Sequence, residues 1–129
     1  LAKEQSSNNP VYYAQYAHAR LCSILEQGKD IAIDNSAKLL SQPSEMALLK
    51  HLADFANLVN DAAKDKAPYK VTNYIHTLAE LVHAFYNECR VIDQNNLELS
   101  GSRLALVKAS KIVLKNALAL IGVSAPIHM

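Results

Sequence analysis

Six tyrosines against two phenylalanines and no tryptophan place most of the aromatic area of this 129-residue chain on rings with a polar tip. Three of them, Tyr12, Tyr13 and Tyr16, fall early. On a helical wheel Tyr13, Tyr16 and Arg20 share one strip at the border of an apolar face. A fourth, Tyr86, follows the apolar position Phe85. Partly exposed rings beside a guanidinium make a platform for unpaired nucleobases, whose π-faces are worth about 1–3 kcal/mol each on such rings. The same spacing serves a core border that buries rings and wets hydroxyls, and periodicity alone does not separate the two.

Other residue patterns are weaker. Lys108, Lys111 and Lys115 recur at steps of three and four, a basic ridge that could neutralise phosphates or simply face water, where the helix dipole favours cations toward the C-terminal end. Among the five histidines, His83 follows Glu80 by three positions, as in di-iron bundles. Those sites require a second Glu-x-x-His pair and two more inward glutamates, which this sequence does not supply, so no metal is expected. Cys22 and Cys89 lack a C-x-x-C partner and read as small hydrophobes. No Gly-rich phosphate loop, nucleophile elbow or H-x-G-H signature occurs, so no catalytic residue is assigned.

The elements that must position these groups read as helices. Asn9-Pro10 has the pattern of an N-cap and first-turn proline, Ala14, Ala17, Leu21, Ile24 and Leu25 line one stripe, and Gly28 reads as the stop. Pro43 opens a second helix whose apolar residues run from Leu48 through Leu52, Phe55 and Val59 to Ala63. After Pro68 a third stacks Val71, Tyr74, Ile75, Leu78, Leu81, Val82, Phe85 and Cys89. The insert DQNNLELSG leads to a fourth, from about Ser102 to Ile121, closed by Gly122. This last helix carries two apolar stripes and should pack between others. No segment alternates like a strand, and the expected fold is an all-α bundle of four main helices with short connecting turns.

Composition agrees: half the residues are apolar and 19% are charged, the values of an ordinary globular domain. No apolar run approaches a membrane span, so no membrane partner is expected, and a reducing, cytoplasmic setting fits the two unpaired cysteines. The net charge of +1 hides an asymmetry. Residues 1–98 hold nine Lys/Arg against twelve Asp/Glu, whereas residues 99–129 hold four Lys/Arg and no acid. An anionic partner would find its best reception near the C-terminal segment.

Three stretches carry a resemblance: NPVYYAQYAHAR from Asn9 to Arg20, HAFYNECRVI from His83 to Ile92, and SRLALVKASKIVLKNALALIGVSAPIHM at the end. Together, in order and spacing, they resemble the C-terminal anticodon-binding domain, of the DALR type, of bacterial arginyl-tRNA synthetases. The resemblance implies a helical module, residues 9–129, that holds the anticodon loop of arginine tRNA. Residues 1–8 would be the junction with an absent catalytic domain of the same polypeptide, which uses ATP and Mg2+ to attach arginine. It also implies a cytoplasmic monomer. By position Tyr13, Tyr16, Tyr86 and Met129 would lie close to the anticodon bases, and Arg20 or Arg103 would offset the repulsion of the terminal carboxylate from RNA. Lys108, Lys111 and Lys115 are secondary contacts. Many relatives carry an acidic and a basic residue before the last methionine, where this chain has Ile127 and His128. A helical protein-interaction or scaffolding module would accept the same core, and differs in what the exposed tyrosines and lysines touch.

Overall fold

The computed structural model describes residues 10–129; the expected Asn9 cap and the junction over residues 1–8 lie outside the described residues. Five helices follow one another: α1 (Pro10–Gln27), α2 (Pro43–Ala53), α3 (Phe55–Lys64), α4 (Tyr69–Glu88) and α5 (Leu97–Leu120). Among the described residues there is no strand, and no helix is long and apolar enough to cross a membrane. α4 and α5 form the centre. α1 packs across both of them, α2 packs on both from another side, and α3 lies on α4.

The stripes read from the sequence are the core. Ala14, Ala17, Leu21 and Ile24 of α1 meet Leu78, Val82 and Phe85 of α4 and Leu104, Val107, Leu114 and Leu118 of α5 in one continuous cluster. The double-striped α5 is buried along most of its length, as expected. It also buries three serines, and each hydroxyl has a partner: Ser110 bonds back to the Leu106 carbonyl, Ser102 donates to Asp34, and Ser100 bridges Asp93 and Asn96.

Three expectations change. The helix opened by Pro43 is two helices, α2 and α3, meeting at Asp54, so the bundle has five helices where four were expected. The apolar period runs through the break and hides it. The cause is a side chain from elsewhere. The Tyr74 hydroxyl donates to the His51 carbonyl at 2.6 Å, the His51 Nε2 stands 3.1 Å from the Tyr74 carbonyl, and the two rings stack 3.9 Å apart. The His51 carbonyl also receives the Asp54 amide at 3.2 Å, which it shares with the Lys50 carbonyl at the same distance, so α2 ends in a tightened turn at the acceptor that Tyr74 occupies.

Second, α5 begins at Leu97, not near Ser102, because Asn96 caps it by accepting the Leu99 amide. Gly101 is therefore inside the helix. A Cβ there would stand 2.3 Å from the Ala32 carbonyl oxygen, and the Gly101 carbonyl in turn accepts the Asp34 amide at 3.1 Å. The loop after α1 thus crosses α5 at backbone distance. Third, Gly28 follows the last residue of α1 without the left-handed backbone of a glycine stop, its missing side chain leaving room for the Leu104 methyls 2.8 Å from where a Cβ would stand; the left-handed glycine is Gly122, at φ 74°, closing α5.

One buried ion pair ties α2 to the two central helices. Glu45, fully buried at the start of α2, accepts the Ser41 and Gln42 amides on Oε1 and the Arg103 Nε on Oε2 at 2.6 Å. Arg103 also donates from Nη1 to the Arg90 carbonyl at 2.8 Å, just beyond α4. Burial alone would push the Glu45 carboxyl up. The Arg103 hydrogen bond, the two amides and the Arg103 charge outweigh it and hold the group below its ordinary 4.5. Arg103→Ala strands the carboxylate, and chemical denaturation followed by circular dichroism should register a loss of about 3–5 kcal/mol. Because the folded carboxyl titrates below the unfolded one, its stabilisation is complete above the ordinary carboxylate range and disappears as pH falls through the lowered value; the R103A chain should lose that acid-side slope.

Candidate nucleic-acid interface

α1 buries one face and leaves another for function. Tyr12, Tyr16, Ala19, Arg20 and Ser23 follow one another at helical steps and floor a groove of about 370 Å³, whose facing wall is the end of the chain, Ile127, His128 and Met129. Tyr16 is 41% exposed and Met129 56%. Such exposure leaves apolar and aromatic surface open to a ligand.

Arg20 joins this groove to α4. Its guanidinium carbon lies 3.9 Å from the centre of the Tyr86 ring and 5.5 Å from that of Tyr16, inside the range in which a flat cation is held by aromatic faces. Tyr86 is likewise 41% exposed and also edges a neighbouring cleft with Ile24, Gln27 and Arg90. Residues 16, 20 and 86 therefore form one aromatic and cationic ledge assembled from two helices. Behind it sits His83, whose ring is 6.0 Å from Tyr16, edge to face, and 4.7 Å from Tyr13. Its burial first, and the Arg20 charge second, lower its pKa and keep it neutral.

The sequence-derived candidates separate accordingly. Tyr16, Arg20 and Met129 line one groove, and Tyr86 reaches it through Arg20. Tyr13 turns inward, half-buried against His83 and 6.0 Å from His76, with its hydroxyl pKa raised by burial and by Glu80. It supports the ledge from behind and does not line the groove. Arg103, expected to serve the terminal carboxylate, is committed to Glu45 and Arg90 with its side chain only 11% exposed, which removes it from the RNA-facing set. Lys108 and Lys115 are exposed on α5 and Lys111 is half-buried. Lys111 and Lys115 lie close enough to His18 for their charge to help lower its pKa, after burial.

Tyr12, Ser23 and His128 belong to the groove and carried no role in the sequence reading. The steps from 12 to 16, 19 and 23 would have revealed the α1 members. His128 required the fold of the tail. The histidine and acid pattern on α4 is local pairing: His76 meets Glu80 at 3.7 Å, and among the described residues no group of three His, Cys, Asp or Glu side chains is placed to hold a metal ion.

Comparison with known proteins bears on the chain and its fold. Residues 14–129 match the DALR anticodon binding domain. Over its whole length the chain is 50% identical to arginine–tRNA ligase 2 of Bacillus thuringiensis subsp. konkukian and 48% identical to the arginine–tRNA ligase of Listeria monocytogenes serotype 4a, and it spans 24% of the length of each. A Campylobacter jejuni structure described as an arginyl-tRNA synthetase superposes on 98% of this chain and 28% of its own with a TM-score of 0.84 at 29% identity. The Thermus thermophilus arginyl-tRNA synthetase covers 91% of this chain and 21% of its own with a TM-score of 0.77 at 31% identity.

The ledge makes a prediction in the absence of any ligand. In a proton NMR titration the His83 ring should change charge below the ordinary 6.5, and Arg20→Gln, which removes one of the two causes of that depression, should move the midpoint upward. An unmoved midpoint would show that Arg20 does not sit over this corner of α4.

Proposed function

This chain belongs to the DALR anticodon-binding domain family, homologous to the C-terminal part of arginyl-tRNA synthetases, and from that premise we propose that it grips the anticodon loop of arginine tRNA on the Tyr16, Arg20, Tyr86 ledge. The observation that carries the reading is the guanidinium held between two exposed rings beside a groove walled by the chain's last residues. Exposed rings offer stacking faces to looped-out bases, and the planar cation adds charge without a bulky hydration shell. Every arginine codon has guanine at its centre, so every arginine anticodon has a central cytosine. Its amino group is a donor, matched by carbonyl or carboxylate oxygens such as those at the end of the tail.

Arg20 lines the same groove as Met129, and its positive charge takes the task of offsetting the terminal carboxylate, for which Arg103 is unavailable. Tyr13 acts from beneath by backing His83 and Tyr16. Lys108, Lys111 and Lys115 extend a positive flank along α5 toward phosphates of the stem. In this reading the chain works within a cytoplasmic, monomeric arginine–tRNA ligase. The catalytic domain of that ligase would use ATP and Mg2+ to join arginine to the tRNA, and no residue of this chain is assigned to either cofactor.

A titration with an arginine anticodon stem-loop RNA, against the same hairpin with uracil in place of the central cytosine, tests the proposal at two salt concentrations. The cytosine hairpin should bind more tightly at both. Tyr16→Ala and Tyr86→Ala should each weaken it by about 1–3 kcal/mol, whereas Lys108→Ala should weaken both hairpins alike and flatten the salt dependence. Equal, weak binding of the two hairpins would defeat the assignment and favour a protein-binding bundle.

A further inference from the structure

Beyond α5 the chain runs back over α1 with no helix of its own, yet its last residues form a wall of the groove. Two α1 side chains one turn apart hold it there. The Gln15 side-chain amide donates to the Ser124 carbonyl at 2.9 Å, and the His18 Nδ1 lies 2.9 Å from the Pro126 carbonyl. Both contacts are to main-chain oxygens of alternate tail residues, so they fix the path of the backbone whatever side chains it carries.

His18 is 1% exposed. A carbonyl only accepts, so the proton of the imidazole must sit on Nδ1, and Nε2 is buried without a partner among the described residues. Burial, together with the Lys111 and Lys115 charges from α5, outweighs the Pro126 hydrogen bond and lowers the pKa of the ring, and the carbonyl facing Nδ1 decides which nitrogen of the neutral ring carries the proton. Cys22, one turn further along α1, has its sulfur 3.7 Å from the same Nδ1 and adds only a weak contact. A buried imidazole with one orphaned nitrogen carries a desolvation cost that an apolar side chain would not, and its single strong bond goes to the tail.

We propose that Gln15 and His18 are positioning residues that fasten the chain's end to α1 and thereby build the Met129 wall of the RNA groove. The inference rests on the anticodon-loop reading, since it concerns the shape of that site. Neither residue lines the groove, so neither needs to touch RNA.

The chain itself, with Gln15→Met, His18→Leu and His18→Asn, provides the test. Asn places an amide donor close to where the imidazole Nδ1 stood, whereas Leu removes it. Three quantities are read: release of Met129 by a broad-specificity carboxypeptidase, the melting temperature, and affinity for the arginine anticodon hairpin. Losing one such hydrogen bond should speed Met129 release and weaken the hairpin by about fivefold each, with Asn at position 18 recovering most of both. The half-buried Gln15 keeps the test open if H18L folds poorly, because Q15M leaves the core intact. Unchanged release, or faster release with unchanged RNA affinity, would overturn the proposal. If the wild-type chain fails to discriminate the two hairpins, it is the anticodon reading that fails, and the release rates still decide whether the two side chains fasten the tail.

Discussion

The architecture hangs on a carboxylate taken out of water. Glu45 has no exposure, and an uncompensated charge at such a site would cost several kcal/mol. Two backbone amides and one guanidinium supply three donors, and the guanidinium spends a further donor on the end of α4. The start of α2, the segment before it, the exit of α4 and the N-terminal part of α5 are thereby referred to a single point. Tyr86 stands in the last turn of α4, four residues before Arg90. A bundle packed by leucines alone could slide by a ridge at modest cost; charge-assisted hydrogen bonds admit only one register.

Packing then places the functional groups by exclusion. α1 gives its small residues, Ala14 and Ala17, to the core and so comes close to α4 and α5. That approach brings Arg20 to within stacking distance of Tyr86 although 66 positions separate them in the chain. The close crossing at Gly101 fixes the loop after α1 in the same way, by removing a side chain where two backbones must pass.

Much of this was legible in advance, and the rest was hidden for identifiable reasons. Local periodicity carries the stripes of α1, α4 and α5, and it put Tyr16 and Arg20 on one strip, because a helix sets those relations within a few residues. It could not carry the break at Asp54, which a tyrosine from α4 imposes on a continuous apolar pattern, nor the beginning of α5, where the polar run DQNN conceals a cap. Tyr13 and Tyr16 are alike by type and spacing; the first packs against the His83 ring at 4.7 Å and turns in, whereas the second meets that ring only by its edge at 6.0 Å and stays exposed. Arg103 looked like a free cation until its partner, 58 residues away, came into view. Apart from the local Asn96 cap, the missing information was a contact between segments distant in sequence.

The wedge between Tyr16 and Tyr86 also sets which amino acids position 20 can tolerate. A guanidinium is a plate with two usable faces and an edge full of donors, so it can lie flat on one ring, lean toward a second and still offer its rim to something else. A lysine would keep the sign of the charge and lose the plate, since a spherical, tightly hydrated ammonium cannot lie flat against either ring. Shape as well as electrical sign is what this position uses.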